Sequence, residues 1–250
     1  MLARDLAIAL DPALTLHAQG LAPDPWQAQV LRSDAQQSLL LCTRQAGKST
    51  CTAALATYTA CYVPESLILL LSPSLRQSQE LFLKVMQTYV ALGKPVPSKD
   101  ASALRLTLIN GSRIVALPGS EETIRGFSGV RLLIIDEASR VDDALYYSVR
   151  PMLAVSGGRL VALTTPFGKR GFFHQEWIEG GPAWQRVKVT AYDCPRISPA
   201  FLEQERAALG DRWFNQEYLC EFSDTIDQVF AYEHVMAALD ANVRPLFGGG

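Results

Sequence analysis

Neither sign of charge dominates this chain: 23 Lys and Arg residues stand against 25 Asp and Glu, a net charge of −2. That balance excludes a global basic field for nucleic-acid binding, so any DNA contact must use a local patch or a larger assembly. No apolar run approaches the roughly 20 residues of a membrane-spanning helix, and no membrane partner is expected. The N-terminus lacks a basic stretch followed by a long apolar core, so no secretory signal is expected. The five cysteines (Cys42, Cys51, Cys61, Cys194, Cys220) are odd in number and scattered. None pair at metal-ligand spacing, and they read as buried thiols of a reducing compartment. No internal repeat is present. What remains is 250 residues, 48% hydrophobic and 19% charged, which is enough for one large α/β domain or two small ones.

The chain is organised around Leu39–Thr50, LLLCTRQAGKST. Three leucines end an apolar run with the look of a buried strand. Then come a loop, Gly47-Lys48-Ser49-Thr50, and a long Ala/Thr/Leu-rich segment of helical character. Strand, glycine-containing loop, Lys-Ser and helix are the parts of a phosphate-binding loop, whose amides and helix N-terminus face phosphate oxygens. Lys48 would reach the β- and γ-phosphates, and the Ser49 hydroxyl would sit on Mg²⁺. The first glycine of the usual G-x-x-x-x-G-K-[ST] pattern is missing, with Cys42 in its place. An ordinary strand–turn–helix with an exposed lysine is the competing reading. A second stretch decides between them. Leu132–Ser139 reads LLIIDEAS, a buried strand ending in Asp136 and Glu137. Two adjacent carboxylates at the end of such a strand are costly unless a cation is near. The two stretches together predict a nucleotide triphosphatase.

In chain order, Leu2, Leu6, Ala9 and Leu10 share one face of a short helix ending near Asp11-Pro12. Asp24 caps a helix with Pro25 in its first turn. In that helix Gln27 has an amide able to read both adenine N6 and N7, the alternative being an ordinary surface glutamine. Lys48–Tyr62 is a helix, Ser66–Leu71 a strand, and Ser72-Pro73-Ser74 opens a helix to about Leu92. Leu104–Ile109 and Arg113–Leu117 flank Asn110-Gly111, the signal of a type I′ hairpin. A polar segment, Pro118–Ser128, carries Arg125 and precedes the Asp136 strand. A helix from near Asp142 to Leu153, a strand at Arg159–Thr164, a helix at Phe172–Glu179 and a strand at Trp184–Thr190 follow. Ser198-Pro199 opens a helix that Gly210 closes, with another from Asp211. Strands alternating with helices predict an α/β fold, a mostly parallel sheet with helices on both faces and one antiparallel hairpin. The phosphate loop and the ends of the Asp136 and Thr164 strands should meet at its carboxyl edge.

Hydrolysis needs charge neutralisation and an oriented water. Lys48 and the loop amides of Thr43, Arg44, Gln45, Ala46, Gly47, Ser49 and Thr50 supply the first. Ser49 and Asp136 would hold Mg²⁺, Asp136 through a metal-bound water. Glu137 is placed to polarise the attacking water as general base, the alternative being a solvated acid at a strand end. Thr164, Thr165 and Pro166 end the neighbouring strand, where hydroxyls could report hydrolysis or merely cap the strand. Arg44 could touch phosphate or swing with nucleotide state. Arg125, in a polar loop, could complete a neighbouring subunit's site in trans, act in cis, or be a surface arginine.

The stretches Thr43–Ser49 (TRQAGKS), Ile124–Gly126 (IRG), Ile134–Ala138 (IIDEA) and Thr164–Phe172 (TTPFGKRGF) occur in an order that resembles the large terminase subunit of tailed bacteriophages. Trp26-Gln27 and Gln216-Glu217-Tyr218 are similar to that family too, and the likeness covers roughly residues 20–225. The resemblance implies a P-loop NTPase of the additional-strand, catalytic-glutamate type. It implies a motor hydrolysing ATP to drive double-stranded DNA into a procapsid, as a homo-oligomeric ring on a portal, working with a small terminase subunit in the host cytoplasm. It implies Lys48 and Arg44 in the phosphate loop, Asp136 on the metal, Glu137 as the catalytic glutamate, Thr164–Pro166 for coupling and Arg125 acting in trans. It also implies an ATPase domain over residues 1–225, whose first 35 residues are helical, and a linker at 226–250 leading to a nuclease domain. A helicase-like translocase and a non-hydrolysing nucleotide-binding module stay open as alternatives.

Overall fold

The computed structural model describes residues 2–118, 124 and 126–223. Arg125 and the 226–250 segment therefore lie outside the described residues. Among the described residues eight strands form one sheet in the order β3-β4-β5-β2-β6-β7-β1-β8. They are β1 (Gln37–Cys42), β2 (Leu67–Ser72), β3 (Ser98–Ala101), β4 (Arg105–Leu108), β5 (Arg113–Pro118), β6 (Val130–Asp136), β7 (Arg159–Thr164) and β8 (Trp184–Val189). Pairing is parallel from β5 through β8, and β3 and β4 add the antiparallel edge. The α/β fold class with a mostly parallel sheet is thus as the sequence implied.

The central strands are apolar at nearly every position because both faces are covered. Side chains alternate between the faces, so Leu40 and Cys42 join one core and Leu39 and Leu41 the other. The first core is closed by helices α2 (Leu14–His17), α3 (Pro25–Arg32), α4 (Lys48–Tyr62) and α5 (Leu75–Ala91). The second is closed by α6 (Asp143–Val149) and α7 (Gly171–Glu179). Helix α4 is buried along most of its length, and its alanines let it lie close to the sheet and to α5. The last helix, α8 (Pro199–Tyr218), is broken at Gly210, whose φ of 74° and ψ of 163° are non-helical. This is the helix–glycine–helix reading of the sequence.

Strand β7 lies between β1 and β6, so the phosphate-loop strand and the Asp136 strand are not neighbours. This is the additional strand that the family resemblance implied. Registers Leu41↔Thr164 and Leu163↔Asp136 bring the ends of all three strands to one edge.

Two local expectations are corrected, and one strand is added. The hairpin at Asn110-Gly111 forms, but not through a type I′ turn, because Gly111 (φ 83°) has positive φ and Asn110 does not. The Gly111 N–H bonds the Leu108 carbonyl and the Leu108 N–H bonds the Ser112 carbonyl, closing a three-residue loop in which only Gly111 is left-handed. Strand β3 is fully exposed and charged, a polar edge that carries no apolar signal. In α1 (Leu2–Leu10) the predicted face points outward at Leu6, Ala9 and Leu10. Leu6 and Leu10 are exposed, and Ile8 is the residue that packs inward.

Candidate active site

The loop Thr43–Gly47 leaves β1 and enters α4 at Lys48. Cys42 is the last, fully buried residue of β1 and pairs with Val189, so no glycine conformation is needed there. The left-handed turns fall instead at Gln45 (φ 63°) and Gly47 (φ 87°). The positive φ favours glycine at 47, and a Cβ there would also lie 2.8 Å from the Gln27 amide nitrogen, which would have to shift.

A cavity of about 560 Å³ opens at the carboxyl edge of the sheet, lined by Arg44, Gln45, Gly47, Lys48, Ser49, Thr50, Glu137 and Thr165. Eight of the residues singled out in the sequence therefore share one space. Gln77 and Lys84 of α5 and Arg140 line it too and were missed. Gln77 and Lys84 lie two turns apart on one face of α5. Only the packing of α5 beside α4 brings that face to the site, and no short motif announces it.

Lys48, on the cavity wall, is 8% exposed, and Asp136, buried behind its neighbour Glu137 and not itself on the wall, is 7% exposed. Burial, then the adjacent Glu137, pushes the Asp136 carboxyl up to about 6, and Lys48 pulls it the other way. Its Oδ1 accepts the Glu137 N–H at 3.0 Å. Glu137 itself is left-handed (φ 49°), a conformation unusual for a non-glycine residue and common at functional sites. Among the described residues its Oε2 is buried without a hydrogen-bond partner, and the Arg140 guanidinium lies 3.9 Å from it. Arg140 in turn stacks over the Phe167 ring at 4.0 Å. Beyond the Asp136 strand, the Ser139 N–H donates to the Thr164 hydroxyl at 3.3 Å, and that hydroxyl donates to the Thr165 carbonyl at 2.7 Å. The Thr164–Pro166 segment is thereby tied to the chain just after Glu137.

The remaining predicted residues sit around the cavity rather than on it. Thr43 is buried, and its hydroxyl donates to the Glu217 carbonyl at 2.8 Å. Arg44, which does line the cavity, also pairs with the Glu217 carboxylate, so α8 holds the loop from outside. Ala46 is part of the core. Gln27 is buried: its Oε1 accepts the Asp24 N–H at 2.9 Å and its Nε2 reaches the Gly47 carbonyl at 3.4 Å. In this structure its amide serves the cap of α3 and the loop backbone.

Among the described residues no group of three or more His, Cys, Asp or Glu side chains could hold a metal. A Ser49 hydroxyl, one buried carboxylate and an orphaned Glu137 oxygen fit Mg²⁺, which takes few protein ligands and completes its shell with water and phosphate. The buried charge has a testable consequence. The folded Asp136 carboxyl titrates above the ordinary value of 3.8, so its stabilising contribution is complete below that value and is lost as pH rises through about 6. Asp136→Asn removes the charge and keeps an oxygen for the Glu137 N–H. At pH 8, without metal or nucleotide, we expect the variant to melt roughly 2 °C or more above the parent, and the gain to vanish as pH falls below 6. Melting below the parent at pH 8 would show that the carboxylate is well solvated or paired.

A sequence profile of the family described as terminase large subunit, T4likevirus-type, N-terminal, matches residues 39–235. The large terminase subunit of Thermus phage G20c is 23% identical over 85% of this chain and 51% of its own length. That of Escherichia phage T5 is 26% identical over 57% of this chain and 35% of its own. The chain thus spans about half the length of the curated relatives it matches. Among solved structures, the large terminase ATPase domain of Thermus phage P74-26 superposes with a TM-score of 0.74 at 20% identity, covering 83% of this chain and 97% of that one. The large terminase of a thermophilic bacteriophage, in complex with ADP, gives 0.68 at 15% identity over 80% of this chain and 53% of that one. These likenesses show the P-loop NTPase fold.

Proposed function

The chain belongs to the terminase large-subunit family, T4-like type, and from that premise we propose that it is the magnesium-dependent ATPase domain of a DNA-packaging motor. The observation that carries the reading is the convergence of Lys48, Ser49 and Glu137 in one cavity, with Asp136 buried beside them. Nucleotide complexes are known for a structural neighbour, the thermophilic phage's large terminase with ADP and with ATP-γ-S, which supports ATP as the substrate here.

In this reading the phosphates of ATP lie over the Gln45–Thr50 backbone at the N-terminus of α4, where amides and the Lys48 ammonium meet negative charge. Ser49, and Asp136 through a water, would hold Mg²⁺, which would supply charge neutralisation at the β- and γ-phosphates. Glu137 orients a water for in-line attack and accepts its proton. Thr164 and Thr165 carry the change at the γ-phosphate site into β7 and the chain after Glu137. Arg125 is proposed to act on a neighbour's site in an assembled ring, adding positive charge as the phosphate leaves. Residues 1–225 form the ATPase domain, and the proposed partners are double-stranded DNA, a portal-bearing procapsid and a small terminase subunit. Host cytoplasm is the proposed location. Among the described residues no helix is long and apolar enough to cross a membrane.

The test is phosphate release from ATP by the purified chain, with Mg²⁺ or with EDTA, alone and with portal-bearing procapsids and linear DNA. We expect slow Mg²⁺-dependent turnover alone and at least tenfold faster turnover on assembly. Tight ATP binding with no phosphate release under any of these conditions would leave a nucleotide-binding scaffold instead.

A further inference from the structure

The phosphate loop is held by a side chain that no sequence motif marks. Arg196 lies just after the 3₁₀ turn Ala191–Asp193, far from the loop in sequence. Its guanidinium grips the Asp24 carboxylate with two bonds, of 2.9 Å and 2.7 Å. Nη2 also donates to the Ala46 carbonyl at 3.2 Å. Asp24 is 6% exposed and is the N-cap of α3, where a capping box ties it to Gln27. Gln27 reaches the next carbonyl, that of Gly47, which also accepts the Cys51 N–H at 3.0 Å. Two consecutive loop carbonyls are therefore held by one connected cluster of Asp24, Gln27 and Arg196.

The consequence follows from the planarity of the peptide. In a trans peptide the carbonyl and the next N–H point in opposite directions. Fixing the Ala46 carbonyl toward Arg196 turns the Gly47 N–H away from it. Fixing the Gly47 carbonyl toward Gln27 and α4 turns the Lys48 N–H away likewise. Gly47 and Lys48 both line the cavity. The packing is close: a Cβ on Gly47 would sit 2.8 Å from Gln27 and 3.7 Å from Arg196.

We propose that Arg196, anchored by Asp24, is a positioning residue for the triphosphate: it fixes the Ala46–Gly47 peptide so that the loop amides are set for phosphate before it arrives. Preset donors lose no ordering entropy on binding, so the brace contributes to affinity without touching the ligand. The inference rests on reading the loop as a triphosphate site.

The test uses Arg196→Ala and three probes: Mg·ATP, Mg·GTP and inorganic tripolyphosphate with Mg²⁺, each titrated by calorimetry. Loosening the loop should weaken all three alike, by about tenfold, because the defect lies in the shared phosphate cradle. Asp24→Asn should give a similar loss, since asparagine caps a helix as well as aspartate but holds the guanidinium poorly. The double variant should be no worse than either single one. Melting and circular dichroism of each variant establish that it is folded. If Arg196→Ala weakens ATP and leaves tripolyphosphate unchanged, Arg196 contacts the base and the inference is overturned. Binding of all three within twofold of the parent overturns it as well. Lys48→Ala in the same titrations separates the two readings. If it too binds normally, the loop is not a phosphate site at all; if it alone loses binding, only the brace fails.

Discussion

Lys48→Ala is expected to leave a folded protein that binds magnesium–ATP at least tenfold more weakly and shows no measurable turnover. Lys48 begins α4, directly after the left-handed Gly47. Its ammonium is nearly buried beside Asp136 and Glu137, in the cavity that the loop encloses. A charge-assisted bond to phosphate in such a place is about twice as strong as a neutral one. The ammonium also offsets charge that builds on the γ-phosphate oxygens as the bond to the leaving group breaks. Losing one preorganised donor of this kind costs roughly 10²–10³ in rate. Lys84 lines the same cavity from α5, but at the end of a side chain from another helix it has no reason to take up the same point. Nucleotide affinity and phosphate release should be measured side by side on one preparation. Turnover near the parent level would remove the loop from the active site, whatever happened to binding.

Why the site was legible while its surroundings were not comes down to distance along the chain. Lys48 and Asp136 announce themselves locally: Asp136 directly ends an unbroken apolar run, where a charge needs a reason, and Lys48 follows another such run after a short glycine-containing loop. Cys42 was the misleading position. Read as a missing glycine it weakens the motif, yet it is the last residue of β1, and the turn takes its left-handed geometry at Gln45 and Gly47 instead. Gln27 was singled out as a reader of adenine, but its amide is bound to Asp24 and Gly47, contacts that depend on where α3 lies against α4. Arg196, Gln77 and Lys84 are ordinary exposed-looking residues in the sequence. They reach the loop and the cavity only because the connection after β8 folds back to Asp24 and α5 packs beside α4. Strand order has the same character. No spacing says that β7 inserts between β1 and β6, and only the family resemblance implied it. Leu6 and Leu10 show the limit of periodicity, which finds a helical face but not which way the face turns.

Glu137→Gln is expected to separate binding from chemistry: magnesium–ATP affinity within a few-fold of the parent, and hydrolysis reduced by ~10²–10⁴. The substitution keeps the side chain's length and planar end, and it asks nothing new of the backbone, since glutamine in a left-handed conformation costs about what glutamate does. It removes the one property the proposed mechanism uses, a carboxylate oxygen free to take a proton. Among the described residues nothing hydrogen-bonds that oxygen: Oε2 of Glu137 is buried, and Arg140 stands off at 3.9 Å. A purely structural acid in this position would be expected to be engaged by neighbouring donors, as Asp136 is by the Glu137 N–H. The contrast with Asp136→Asn sharpens the assignment, because the metal-side acid should lose magnesium dependence together with rate. Equilibrium binding of a slowly hydrolysed ATP analogue and single-turnover hydrolysis of ATP, both at saturating Mg²⁺, supply the two numbers. If Glu137→Gln loses nucleotide binding in step with hydrolysis, the residue holds the metal or the fold and the general base lies elsewhere. If hydrolysis proceeds at the parental rate with binding intact, the water is activated without Glu137.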